Sequence, residues 1–331
     1  MRIDSSAPTR IDLAGGTLDI WPLYLFHDNA QTLNAAISLR AHCSIRGRDD
    51  GHVRLRSEDT GAEVDADGWQ SLDGGGPLPL LARLVRYFHV SGIDLVTRSE
   101  SPFGAGIAGS SALNVAVAGG LAAWTEREIA AEALLAITMN VEAQVISVPT
   151  GAQDYRPAYY GGVSSVKLSV DGVRRVPLDI NLAELQSRLV LAYTKASRNS
   201  GINNWDVMKR HIDGDGEVFE RFARIRDIAV AMREALSAGD WPEVGRQLRL
   251  EWENRKRLAP GVTTPDIDRM IEAAAAAGAL GAKVCGAGGG GCLFCFADPQ
   301  DVPAVRAALA SSGAELLDFT LEAQGLRITR T

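Results

Sequence analysis

Apolar and polar residues alternate along residues 3–13, 38–46, 52–56 and 93–98, and each run predicts a β-strand with one buried face. Elsewhere the apolar spacing lengthens to that of helices. Residues 77–89 predict one helix, 110–124 a second and 129–146 a third, with Gly119 and Gly120 making the second less uniform. Past Gly161-Gly162, strand patterns return at 163–170 and 188–193, and Asp171-Gly172 signals a turn between them. Helices then dominate, over 217–238, 241–255 and a segment opened by Thr264-Pro265-Asp266 and closed by Gly278. Its flanks place an N-cap, a first-turn proline and a terminal glycine in helical order. A glycine cluster, 281–291, leads from there into an apolar strand beginning at Cys292. The chain therefore reads as an α+β protein of two domains, 1–180 and 181–331, with the boundary near 175–190.

Composition narrows the partners. The chain has 331 residues, 46% hydrophobic and 23% charged, with a net charge of −7, which argues against a polyanionic partner such as nucleic acid. The first ten residues lack a signal-peptide core and no stretch approaches 18 apolar residues, so a cytoplasmic protein without a membrane partner is expected. Four cysteines are too few for a disulfide framework. Cys292-Leu-Phe-Cys295 has the spacing of half a zinc site, but it lies in a strand pattern, where residues three apart point to opposite faces. Core packing is the reading preferred for both sulfurs. His27, His52, His89 and His211 show no metal or triad spacing and are expected at surface or cap positions.

The candidate chemistry begins at Pro102-Phe-Gly-Ala-Gly-Ile-Ala-Gly-Ser-Ser-Ala112, a glycine-rich loop between a predicted strand and a predicted helix. Free amides at a helix N-terminus carry about half a positive charge, and glycines let a phosphate approach the backbone. Ser110 and Ser111 add hydroxyls able to cap the helix or touch a phosphate-bound metal. Gly104, Gly106 and Gly109 also satisfy the dinucleotide fingerprint. That reading fits poorly, since the loop follows some hundred residues of chain and the acids about 20 residues on, Glu126 and Glu128, fall between two helices. Gly286, Gly288 and Gly291 match the same pattern by accident in a chain with 34 glycines. No Gly-Lys pair of a P-loop occurs, nor the His-Arg-Asp or Asp-Phe-Gly of protein kinases.

Three segments in order resemble the GHMP kinase superfamily, which includes galactokinases and homoserine, mevalonate and phosphomevalonate kinases. They are Ala7-Pro-Thr-Arg-Ile-Asp-Leu-Ala-Gly-Gly-Thr-Leu-Asp19, the loop from Pro102, and Lys283-Val-Cys-Gly-Ala-Gly-Gly-Gly-Gly291. The first motif and Gly151-Ala-Gln-Asp-Tyr155 look most like the heptose phosphate kinase branch. The resemblance implies a ribosomal protein S5 domain 2-like N-terminal domain and a ferredoxin-like C-terminal domain. It also implies a kinase that uses ATP and Mg²⁺ to phosphorylate a sugar or sugar-phosphate hydroxyl.

By position, the resemblance makes Asp154 the catalytic aspartate and Arg10 its basic neighbour. It gives nucleotide binding to Pro102, Gly104, Ala105, Gly106, Ile107, Ala108, Gly109, Ser110 and Ser111, with Gly288 and Gly289 closing the site from the second domain. Ser111 and Glu142 would hold the metal, as hard oxygen ligands suited to Mg²⁺. Gly16, Thr17, Asp19 and Arg198 would bind the acceptor. Ala108 stands where the family's loop has glycine, which implies a changed loop curvature. The alternatives left open are a non-sugar acceptor such as mevalonate or homoserine, a ligand sensor without catalysis, and a nicotinamide enzyme.

Overall fold

In the computed structural model, strand β1 (Arg2–Ala14) runs antiparallel to β2 (Gln31–Gly47), and this pair anchors an eight-stranded sheet. The structure describes residues 1–196 and 200–331, with side chains in the second stretch described from Asn204 onward. The other strands of this sheet are β3 (Val53–Ser57), β4 (Glu63–Ala66), β5 (Ile93–Ser99), β6 (Val163–Ser169) and β7 (Gly172–Pro177). Its eighth member, β12 (Arg327–Arg330), comes from the end of the chain and pairs with β1. The order is β12-β1-β2-β5-β3-β4, with β6 and β7 branching from the first half of β2. Helix α2 (Gly109–Trp124) packs on the sheet, and α1 (Pro79–Phe88) and α3 (Ala131–Ile146) pack on α2, in one apolar cluster that includes Leu84, Val85, Phe88, Val115, Leu121 and Leu134. The short α4 (Tyr155–Tyr160) follows them.

The first half of β2 escapes the alternation rule because residues 31–37 are buried on both faces. Its polar members bond within the protein: Ser165 donates to Gln31 at 2.7 Å and the Asn34 amide nitrogen to Thr32 at 3.1 Å, while Asn34 Oδ1 stays unpaired. The strands at β4 and β7 went unpredicted for the opposite reason. Both are edge strands with largely exposed residues, so no apolar face marks them.

The second half contributes α5 (Leu182–Gln186), β8 (Leu189–Tyr193), α6 (Ser200–Ile212), α7 (Gly216–Ala238), α8 (Trp241–Arg255) and α9 (Pro265–Ala276). They are followed by β9 (Ala279–Val284), β10 (Cys292–Ala297), α10 (Val302–Ser311) and β11 (Glu315–Leu317). The four strands form an antiparallel sheet, β11-β8-β10-β9. Thr264 caps α9 by accepting from Ile267 N–H, with Pro265 in the first turn, as its sequence predicts. One apolar cluster joins the halves: Ile11, Leu33 and Ile107 pack with Leu191, Met232 and Phe294. Cys292 belongs to that cluster and Cys295 to a different one, so the two sulfurs lie on opposite faces of β10. Among the described residues no group of three or more His, Cys, Asp or Glu is placed to hold a metal, and no helix is long and apolar enough to cross a membrane.

Candidate active site

Helix α2 begins one residue before the predicted Ser110, at Gly109, and its first helical hydrogen bond runs from Ala112 N–H to Ala108 O at 2.9 Å. The amides of Gly109, Ser110 and Ser111 therefore face the loop with no helical acceptor. Ala108 is the N-cap, in the left-handed conformation at φ 62° and ψ 35°, and caps no amide with its side chain. The glycine-to-alanine departure thus falls at a position whose backbone favours glycine.

The first motif grips this loop. Arg10 N–H donates to Ile107 O at 3.0 Å and Arg10 Nη1 to Gly106 O at 3.1 Å. The remaining face of the guanidinium holds Asp154, with Nη2 at 2.6 Å and Nε at 3.0 Å from Oδ1. Arg10 is 2% exposed, whereas the Asp154 side chain is 23% exposed and opens toward the cleft. Burial opposes the charge of Arg10, yet Asp154 and Asp12 outweigh it and raise its pKa.

Ser111, from α2, donates to Glu142 Oε2 on α3 at 3.0 Å. The same oxygen accepts from the buried Tyr155 hydroxyl at 2.7 Å, and Tyr155 in turn meets Thr150 at 3.1 Å. Burial raises the pKa of Glu142, so this carboxylate lies where a neighbouring cation would stabilise its ionised form.

Asp19 reaches across to the segment that carries Asp154. Its Oδ2 accepts from Gln153 N–H at 2.9 Å, and Ile20 forms an isolated β-bridge with Gly151. A side chain at 151 would sit 2.1 Å from Asp19 Oδ2, which is why glycine stands there. Burial, then the charge of Asp154, raises the Asp19 pKa to about 6.

These groups line one cavity of about 460 Å³, which includes Arg10, Thr17, Asp19, Glu142, Gln153, Asp154 and loop residues from Pro102 to Ser111. Ile107 is excluded, buried in the shared core, and Gly16 packs against Arg255 and Asp12 behind Thr17. From the third motif, Gly286 and Ala287 reach the cavity. Gly288 and Gly289 instead turn against Gly261 and Val262, Gly289 N–H donating to Val262 O at 2.8 Å. Arg198 lies outside the described residues.

A buried charge cluster beneath the cavity was not anticipated. Lys283 Nζ contacts Asp12 Oδ2 at 2.9 Å and Glu251 Oε1 at 3.6 Å, all three fully buried. Arg255 lies 3.9 Å from both carboxylates and donates to Thr17 Oγ1 and Gly286 O. Gly286 N–H closes the ring on Asp12 Oδ1 at 3.2 Å. Burial would raise the Asp12 pKa, but Lys283, Arg10 and Arg255 together hold it below the usual range. The sequence signal was the placement of Asp12 and Lys283 inside two of the three motifs. Two histidines also depart from expectation: His27 and His211 are buried with their Nε2 atoms 2.9 Å apart, among Phe26, Phe219 and Phe222.

The fold and the convergence of the three motifs correspond to a known family. The family model described as the GHMP kinases N terminal domain matches residues 79–162, and the one for GHMP kinases C terminal matches 232–315. The chain belongs to the GHMP kinases, and is a phosphotransferase. Among its relatives, a D-glycero-alpha-D-manno-heptose 7-phosphate kinase of Campylobacter jejuni is 29% identical over 340 residues, covering 99% of each chain. A mevalonate kinase of Thermococcus sibiricus is 25% identical, covering 99% of this chain and 98% of its own. A solved D-glycero-D-manno-heptose 1-phosphate kinase of Bacteroides thetaiotaomicron has a TM-score of 0.80 at 24% identity, with 99% of both chains covered, a likeness of fold.

Proposed function

We propose that this chain transfers the γ-phosphoryl group of ATP to a hydroxyl of a sugar or sugar phosphate, a heptose phosphate being the leading candidate. The observation that carries the reading is the Arg10–Asp154 pair held against the phosphate loop. Amides at the start of α2 receive the polyphosphate, and Asp154 orients the acceptor hydroxyl and takes its proton. Arg10 keeps Asp154 aimed, tying it to the carbonyl of Gly106. Thr17 and Asp19 contact the acceptor from the first motif. Ser111 and Glu142 are hard oxygen groups beside the loop and fit Mg²⁺, which when bound would neutralise phosphate charge. The 29% identity to a heptose 7-phosphate kinase along the whole chain favours a sugar-phosphate acceptor over mevalonate.

ADP release measured with hexoses, heptose phosphates, homoserine and mevalonate tests the assignment. Turnover is expected with a sugar or sugar phosphate; exclusive activity on mevalonate or homoserine would reject the sugar reading, and ATP binding without turnover would point to a sensor.

A further inference from the structure

Six asparagine and glutamine residues are buried among the described residues: Gln31, Asn34, Asn114, Gln153, Gln247 and Asn254. Five of them have a side-chain hydrogen bond within the protein. Gln31 accepts from Ser165, and Asn34, Asn114, Gln247 and Asn254 donate to Thr32, Thr138, Glu243 and Leu250. Asn34 Oδ1 and Asn114 Oδ1 also lack a partner, but each of those amides is held through its nitrogen; of the six, Gln153 is the one with neither end of its amide bonded within the protein. Its residue is 5% exposed, its Oε1 is sealed from solvent without a partner, and its amide nitrogen makes no bond either. An unpaired buried amide costs about 1–3 kcal/mol, and buried polar groups are seldom left in that state.

The location of this amide supplies a reason. Gln153 lines the same cavity as Arg10, Thr17, Asp19 and Asp154. Its backbone is fixed, since Gln153 N–H donates to Asp19 Oδ2 at 2.9 Å and Ala152 N–H to Asp19 O at 3.3 Å. The amide therefore projects from an immobilised backbone, one residue before the aspartate assigned to the reacting hydroxyl. The amide nitrogen offers two donor hydrogens, which a substrate hydroxyl can accept.

We propose that Gln153 is a specificity residue, which hydrogen-bonds the acceptor hydroxyl adjacent to the one phosphorylated. The inference rests on the sugar-kinase reading and deepens it: the substrate class is a vicinal diol, with one hydroxyl on Asp154 and its neighbour on Gln153. Homoserine has no second hydroxyl, and the second hydroxyl of mevalonate is two carbons from its primary alcohol. Neither satisfies both groups. Because Oε1 is sealed, the substrate hydroxyl is met by the Nε2 end of the amide, and acceptors lacking that hydroxyl leave this donor without a protein or substrate partner.

The test uses the full chain with Gln153→Leu and Gln153→Met, assayed with ATP and D-glycero-D-manno-heptose 7-phosphate and its mono-deoxy analogues. Two variants guard against a single repacking failure, and thermal melting confirms that each folds. The expected result is a 10- to 100-fold fall in kcat/KM for the intact acceptor, an ATP KM within twofold of the wild type, and a melting temperature equal to or above it. A merely structural amide would move melting temperature and not the acceptor KM. One deoxy analogue should lose a similar factor with the wild type and nothing further with the variants. Folded variants with unchanged kcat/KM on the intact acceptor would overturn the role of Gln153 while leaving the kinase reading standing. A wild-type chain that phosphorylates no sugar or sugar phosphate would overturn that reading, and this inference with it.

Discussion

Arg10 Nη2 lies 2.6 Å from Asp154 Oδ1, although 144 positions separate the two residues in the chain. The contact joins the middle of the first strand to the turn before α4, and it brings a buried cation to the one partly exposed carboxylate of the pair. Replacing Asp154 by Asn should lower turnover by ~10²–10⁴-fold, the range of a positioned acid–base group. ATP binding, followed by calorimetry, should persist in that variant. Near-normal turnover would remove Asp154 from the chemistry.

Asp19 predicts a pH dependence of stability. Its pKa rises from 3.8 to about 6 on folding, so ionising it costs more in the folded than in the unfolded chain. Stability is therefore lost as pH climbs from about 4 to about 6, and the loss is complete above that. A shift of this size corresponds to about 3 kcal/mol at most. Urea unfolding of Asp19→Asn against the wild type should show little difference near pH 4 and a more stable variant near pH 7, alongside weaker acceptor binding. A gap that does not change with pH would contradict the assignment.

Lys283→Met should be severely destabilising. It removes the cation nearest to Asp12 and Glu251, and breaking a buried ion pair from one side costs about 3–5 kcal/mol. Chemical denaturation would read this directly. A loss below about 1 kcal/mol would mean that Arg255 and the backbone amides hold both carboxylates without Lys283.

Ala108→Gly tests the departure in the phosphate loop. The left-handed backbone costs a non-glycine residue roughly 1–2 kcal/mol, and glycine's greater freedom when unfolded returns about 0.4–1 kcal/mol of that. A net gain of about 0.5–1 kcal/mol is expected from urea unfolding. A destabilised variant would show that the Ala108 methyl makes contacts worth more than the backbone preference.

Much of this architecture is legible in the sequence alone. The strands at 52–56 and 93–98 and the helices at 217–238 and 241–255 each show one apolar face to one layer, and their observed limits, like those of the strand at 3–13, lie within about three residues of the pattern. Legibility failed where that condition fails. Residues 31–37 are covered on both sides, Glu63–Ala66 and Gly172–Pro177 lie on sheet edges, and Arg327–Arg330 is exposed throughout, recognisable only by its pairing with β1. His27 and His211 carry no local signal, since their pairing depends on two segments 184 positions apart.

The sequence by itself determined the types of residue at the site and the loops that carry them: a glycine-rich helix entry, an arginine in the first motif, and an aspartate after a glycine. These follow from local chemistry, because anion-binding amides and turn glycines are properties of a few consecutive residues. Only the tertiary structure decided which of them meet. It brought Gly286 and Ala287 to the cavity and turned Gly288 and Gly289 toward Val262. It also made Asp12, Glu251, Arg255 and Lys283 one buried network, and left the amide of Gln153 unpaired beside Asp154. The reason is physical: burial sets the cost of an unpaired charge or amide, and burial arises from packing between segments far apart in the chain.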